Sequence, residues 1–112
     1  MTIASRNTHN GDLELALQYV EDYYKSLGIS AKRVAYQVRG KTLFNIVAEI
    51  PGTVDPKKVF IVSGHLDSTV GSPWQNEKRA PGADDDASGT VGVMEVAGAQ
   101  YAAVAHRAVE LP

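Results

Sequence analysis

Between residues 12 and 27 the apolar positions Leu13, Ala16, Leu17, Val20, Tyr24 and Leu27 recur at helical spacing, with Glu21 and Lys25 paired four apart on the opposite side. This predicts an amphipathic helix that covers one face of a sheet. Asn10 or Asp12 can cap its start, and Gly28 stands where a left-handed residue ends helices. Residues 34–39 and 42–50 are rich in β-branched and aromatic side chains around Arg39-Gly40-Lys41, the pattern of a hairpin, and Pro51-Gly52 closes its second strand. After Asp55-Pro56, residues 57–64 form a short continuous apolar run through Val59, Phe60, Ile61 and Val62. Such a run predicts a strand buried on both faces, central in the sheet. Residues 68–83 contain Gly71, Pro73, Pro81 and Gly82 without any period and predict a long surface loop, in which Trp74 either lines the rim of a cleft or simply packs. From residue 86 to about 107 a second helix follows, apolar nearly all round through Val91, Val93, Met94, Val96 and Ala97, with Gly89 and Gly92 allowing close approach of backbone. The fold class is therefore α/β: a mixed sheet with an antiparallel hairpin leading to a central strand, flanked by helices.

That reading places two polar clusters at the mouth of the sheet. His65 and Asp67 fall just beyond the carboxyl end of the central strand, where reactive groups collect in open α/β sheets. Asp84, Asp85 and Asp86 stand where the second helix begins. A neutral imidazole is a common ligand for a divalent ion, and its other ring nitrogen needs an acceptor to fix the tautomer, a part Asp67 is spaced to play. Three successive carboxylates repel one another unless solvent, a helix N-terminus or a cation compensates them. Each cluster also has a plainer reading. His-x-Asp arises by chance, and acids ahead of a helix commonly serve as caps.

Composition narrows the chemistry. With no cysteine, thiolate nucleophiles and cysteine zinc sites are excluded, so any metal must rest on histidine and carboxylate. Eleven Lys and Arg against thirteen Asp and Glu, with no basic stripe, give no surface for nucleic acid, and no apolar stretch is long enough to span a membrane. At 112 residues there is room for one domain and one core. No signal peptide is visible, and the compartment stays undetermined.

The segments His65-Leu66-Asp67 and Pro81-Gly82-Ala83-Asp84-Asp85-Asp86-Ala87-Ser88-Gly89 resemble those of the co-catalytic zinc aminopeptidases of the bacterial leucyl aminopeptidase type. The likeness covers roughly residues 13–97, including the Asn45-Ile46-Val47-Ala48 strand. It implies that His65 ligates one zinc, that Asp85 bridges two, and that Asp67 orients His65. By the same likeness Asp84 and Asp86 support the turn, and a cis peptide follows Asp85. The implied activity releases N-terminal residues from peptides or proteins, and relatives of this type are commonly secreted. Related carboxypeptidases and deacylases follow their bridging Asp with Lys-Gly, whereas Ala87-Ser88-Gly89 stands here.

The family's mechanism also uses a consecutive Glu-Glu pair, a further acidic ligand and a final histidine, none of which follows Asp86 in usable form. Glu95 and Glu110 read as structural or solvated, and His9 and His106 as surface residues. Residues 98–112 depart from the family's usual pattern, so a frameshift or early stop in a longer gene is one expectation. Three outcomes follow for the chain itself: an inactive fragment of a zinc aminopeptidase, a non-catalytic binding or regulatory module derived from the fold, or a site completed by another chain. Oligomeric state is not legible.

Overall fold

The computed structural model describes residues 3–70 and 79–110, with side chains through residue 104. Trp74 and the side chains of His106 and Glu110 lie outside the described residues, as do residues 71–78 of the 68–83 loop.

The first helix, α1, spans Leu13–Leu27 and buries Ala16, Leu17, Val20 and Tyr24. These are the inward members of the apolar stripe. Asp12 occupies the N-cap position but makes no side-chain cap; instead Asn10 Oδ1 accepts the Asp12 N–H at 2.9 Å, and the Asn10 carbonyl accepts that of Leu13 at 3.2 Å. At the other end Gly28 turns left-handed at φ 78°, donating to the Lys25 carbonyl, while Ile29 donates to that of Tyr24. This double return satisfies the last carbonyls and swings the 4%-exposed Ile29 side chain back into the core with Tyr24.

Strands β1 (Ala31–Val38) and β2 (Lys41–Ala48) form the hairpin, in register from Ala31 opposite Ala48 to Val38 opposite Lys41. The two-residue connection, Arg39 at φ 49° and Gly40 at φ 77°, has the positive dihedrals that match the right-handed twist of paired strands. Ala31 and Arg33, with Ala48 and Ile46 opposite, share the face turned to α1. Arg33 joins that face to the helix, donating to both oxygens of Glu14 at 2.7 and 2.9 Å and to Glu21, with its guanidinium 5.5 Å from the Phe44 ring centre.

A second helix, α2, runs Ser88–Glu110 and crosses α1. The core gathers where they meet: Val20, Tyr24, Ile29 and Met94, with Ala31, Ile46, Ala48, Ile50, Leu66, Ala97 and Tyr101 packed around them. Tyr23 places its hydroxyl against the Met94 carbonyl at 3.3 Å, giving that end of the interface a polar tie. Among the described residues no helix is long and apolar enough to cross a membrane.

The central strand expected at residues 57–64 is not formed. The sheet of the described residues contains β1 and β2 alone, and Val59, Phe60 and Ile61 are 76%, 81% and 86% exposed. A strand buried on both faces needs ladder partners at its edges and layers over its faces, and here the run has neither. Val91 and Val96 on α2 are likewise about half exposed, so its all-round apolar surface is only partly covered.

Candidate metal centre

The unpaired run delivers the chain to α2 at its glycine end. Gly64 lies so close to the start of the helix that a Cβ there would stand 3.0 Å from backbone atoms of Gly89 and Thr90. His65 then docks by its backbone: its N–H donates to Asp86 Oδ2 at 3.2 Å, and its carbonyl accepts the Thr90 hydroxyl at 2.9 Å. Asp86 Oδ1 accepts the Gly89 N–H at 3.1 Å, a capping contact to the residue three positions on, in the first turn of the helix. One carboxylate thus caps α2 and holds the His65 loop. A Cβ at 89 would lie 2.1 Å from Asp86 Oδ1, so glycine there lets the carboxylate sit against the helix start.

Ahead of α2, residues Ala83–Ala87 make a wide turn closed by Ala87 N–H on the Gly82 carbonyl at 3.0 Å. Asp85 and Asp86 leave the helical region within it, at φ −118°, ψ 93° and φ −129°, ψ 43°, and the peptide between them is cis. Asp85 thereby projects its carboxylate toward His65, with Oδ1 2.9 Å from Nε2 and the side chain 90% exposed. Asp84 is exposed; its backbone carbonyl accepts the Ser88 hydroxyl at 3.0 Å.

The other ring nitrogen faces Asp67. His65 Nδ1 is 3.0 Å from the Asp67 carbonyl and 3.4 Å from its carboxylate, so the nearer acceptor is the backbone. That carbonyl is the main cause of a raised His65 pKa; partial desolvation opposes it, and the charge of Asp67, the hydrogen bond to Asp85 and the charge of Asp86 add to it. The tautomer follows from the contacts. With Nδ1–H committed to a carbonyl, neutral His65 presents the Nε2 lone pair to a carboxylate, an opposition that a proton or a metal cation between them relieves.

This is the donor chemistry of a zinc site, an imidazole nitrogen beside a carboxylate oxygen. It is also incomplete. Among the described residues no group of three His, Cys, Asp or Glu converges, whereas a catalytic zinc is held by three protein ligands. Asp86 is engaged on both oxygens, and Glu95 meets the Tyr23 hydroxyl at 3.4 Å. His65 and Asp85 fit zinc in kind, and the described residues bring no further ligand to them.

The periodicity of the sequence gives no hint of Arg6. It is 8% exposed, and its guanidinium donates to three carbonyls: Nε to Leu66 at 2.6 Å, one terminal nitrogen to Pro81, and the other to Gly82 at 3.0 Å. Its backbone N–H meets Ser68 Oγ at 3.1 Å, its carbonyl accepts the Ser68 N–H at 3.0 Å, and neighbouring Ser5 bridges Ala80 in parallel fashion. Ser68 donates its hydroxyl to the Ala80 carbonyl, closing the knot. Burial lowers the Arg6 pKa, while the charges of Asp67 and Asp86 oppose that effect.

Comparison with known proteins gives the class to which this His-x-Asp loop and acidic helix start belong. Residues 45–111 match the model of Peptidase family M28, and the chain belongs to that family. It is 41% identical, over 70% of its length and 15% of the relative's, to a "Probable zinc metalloprotease" of Pyrenophora teres f. teres. A "Probable leucine aminopeptidase" of Arthroderma otae is 40% identical over 70% of this chain and 20% of its own. "Uncharacterized protein YfbL" of Escherichia coli K12 is 30% identical over 98% of this chain and 34% of its own. The chain thus spans about a third or less of these relatives. No solved structure matches it.

Proposed function

We propose that this chain carries part of a zinc-dependent aminopeptidase site, with His65 and Asp85 as metal ligands and peptide or protein N-termini as substrate. The observation that carries the reading is the 2.9 Å approach of His65 Nε2 to Asp85, with Nδ1 committed to Asp67. The names of the zinc metalloprotease and leucine aminopeptidase relatives support the metal and the direction of cleavage. Zinc bound there supplies Lewis acidity toward a peptide carbonyl and toward water. The protein's own part is to hold the imidazole in one tautomer through Asp67, and to keep it facing Asp85 through the Asp86 clamp.

Asp85 is also the candidate bridge between two ions. Among the described residues its Oδ2 takes no hydrogen bond, and one carboxylate can span ions about 3.5–4 Å apart. In a complete domain the exposed run at residues 57–64 pairs as a central strand of a mixed sheet, which accounts for its apolar sequence. The described residues offer two donors, and the sequence has no Glu-Glu pair. The chain therefore binds metal weakly and turns over negligibly.

Hydrolysis of an amino-acid p-nitroanilide with added zinc, beside a His65→Ala control, tests this. No turnover is expected from the chain alone, and cobalt binding is expected to disappear in His65→Ala and Asp85→Ala. Turnover lost in His65→Ala overturns the incomplete-site reading. Cobalt binding indifferent to both substitutions overturns the ligand assignment.

A further inference from the structure

We infer that Arg6 is the positioning residue of this site, its guanidinium fixing the spacing between the His65 loop and the acidic turn. The inference rests on the metal-site reading above for its functional meaning, but its geometry stands apart from it. Leu66, whose carbonyl takes Nε, directly follows His65; Pro81 and Gly82, whose carbonyls take the terminal nitrogens, lead into the turn that projects Asp85. Three carbonyl oxygens converging on one point repel one another. A planar cation with rigidly spaced donors reverses that repulsion and also sets the distances among them.

Asp86 joins the His65 backbone to the start of α2, and the guanidinium adds a second tie at the other end of the turn. Ser68 ties its own loop to Ala80 on the far side of the Arg6 backbone, but only the guanidinium reaches both the residue after His65 and the glycine at the head of the turn. Gly82 is shaped to receive it: the residue turns at φ 56°, and a Cβ there would come 3.0 Å from the nearer Arg6 nitrogen and 2.6 Å from the Asp85 carbonyl. Lysine at position 6 offers a point charge and cannot hold three acceptors at fixed angles. The cation also lies near Asp67 and Asp86, the two acids on either side of His65, so its charge favours the same closed arrangement.

The test uses the whole 112-residue chain with Arg6→Gln, Arg6→Lys and Arg6→Gly. Two readouts are taken: the ring-nitrogen NMR spectrum of His65 without metal, and cobalt titration followed by visible absorption. Wild type is expected to show a single ordered tautomer protonated at Nδ1 once the ring is neutral. Arg6→Gln and Arg6→Lys are expected to shift toward the averaged ring spectrum of a free histidine. Cobalt affinity falls about tenfold in both, the usual cost of losing a group that orients a ligand. The amide signals of α1 and the hairpin stay in place. Millimolar methylguanidinium is expected to restore the ring spectrum in Arg6→Gly. An unchanged ring spectrum in Arg6→Gln overturns the inference, and so does loss of the α1 and hairpin signals in both Arg6→Gln and Arg6→Lys, which makes Arg6 a general folding residue. Wild type that binds no cobalt refutes the metal reading alone, because the metal-free ring spectrum still decides the role of Arg6.

Discussion

Asp86 holds His65 by its backbone and not by its ring: Oδ2 accepts the His65 N–H at 3.2 Å while Oδ1 caps α2 at Gly89. The helix start and the His65 loop are therefore fastened by one side chain. Removing it has two separable effects. Asp86→Ala is expected to destabilise the chain by about 1–2 kcal/mol through the lost cap. It also lowers cobalt affinity by releasing the loop. Urea unfolding and cobalt titration of the same variant check both.

Gly89 and Gly92 should respond oppositely to alanine. At 89 the new methyl meets Asp86 Oδ1, and relief requires the carboxylate to leave His65; a loss of about 1–3 kcal/mol is expected. At 92 nothing lies within 4 Å, so alanine should stabilise α2 by about 0.5–1 kcal/mol through helix propensity. Thermal unfolding of the two variants side by side gives the sign of each.

On the proposed reading, the proton on His65 competes with a metal for the same lone pair. Its pKa is raised, so the contacts that raise it add stability that is complete below the unfolded-state pKa and disappears as pH climbs through the folded one. Cobalt binding runs the other way and strengthens over that same rise. Because the leading cause is the Asp67 carbonyl, Asp67→Asn keeps it, and the NMR midpoint of His65 should fall only part of the way back.

Arg33 and Glu14 give a second pH dependence, of opposite sign and remote from the site. The hydrogen bond from Arg33 depresses the Glu14 pKa, so this tie stabilises the fold above the ordinary glutamate range and is lost as pH falls through the depressed value. Both partners are solvent-accessible, which keeps the contribution at or below about 1 kcal/mol. Arg33→Met should flatten the acid limb of a stability–pH curve and leave cobalt binding unaltered.

The exposed run from Val59 to Val62 is a surface on which copies of the chain can associate. Ile61, at 86% exposure, is its most open member. Ile61→Lys should reduce self-association in sedimentation experiments while changing the unfolding midpoint little, since almost no burial is lost.

Features encoded within a few residues were legible in the sequence. The end of α1 is set by Gly28 and Ile29 returning to Lys25 and Tyr24, and the hairpin by two residues, Arg39 and Gly40, so both could be read from local pattern. Their limits moved by only a few residues, β1 starting at Ala31 and not Val34. The run at Val59–Val62 failed because apolarity states what a segment is suited to, while pairing depends on neighbours elsewhere. His65 and Asp85 could be named as candidates by residue type and by family likeness; their 2.9 Å approach could not. Arg6 was illegible because all three of its carbonyl partners lie 60–76 residues away, and a backbone carbonyl carries no residue signature.

The same separations set an order of events as the chain folds. Helix α1 and the hairpin close short loops and can form early, whereas the Arg6 latch must bring the chain's beginning to two loops beyond its midpoint, and closing so long a loop is slow. His65 and Asp85 thus acquire their mutual geometry near the end of folding. A newly made chain has its scaffold before the proposed ligands face one another.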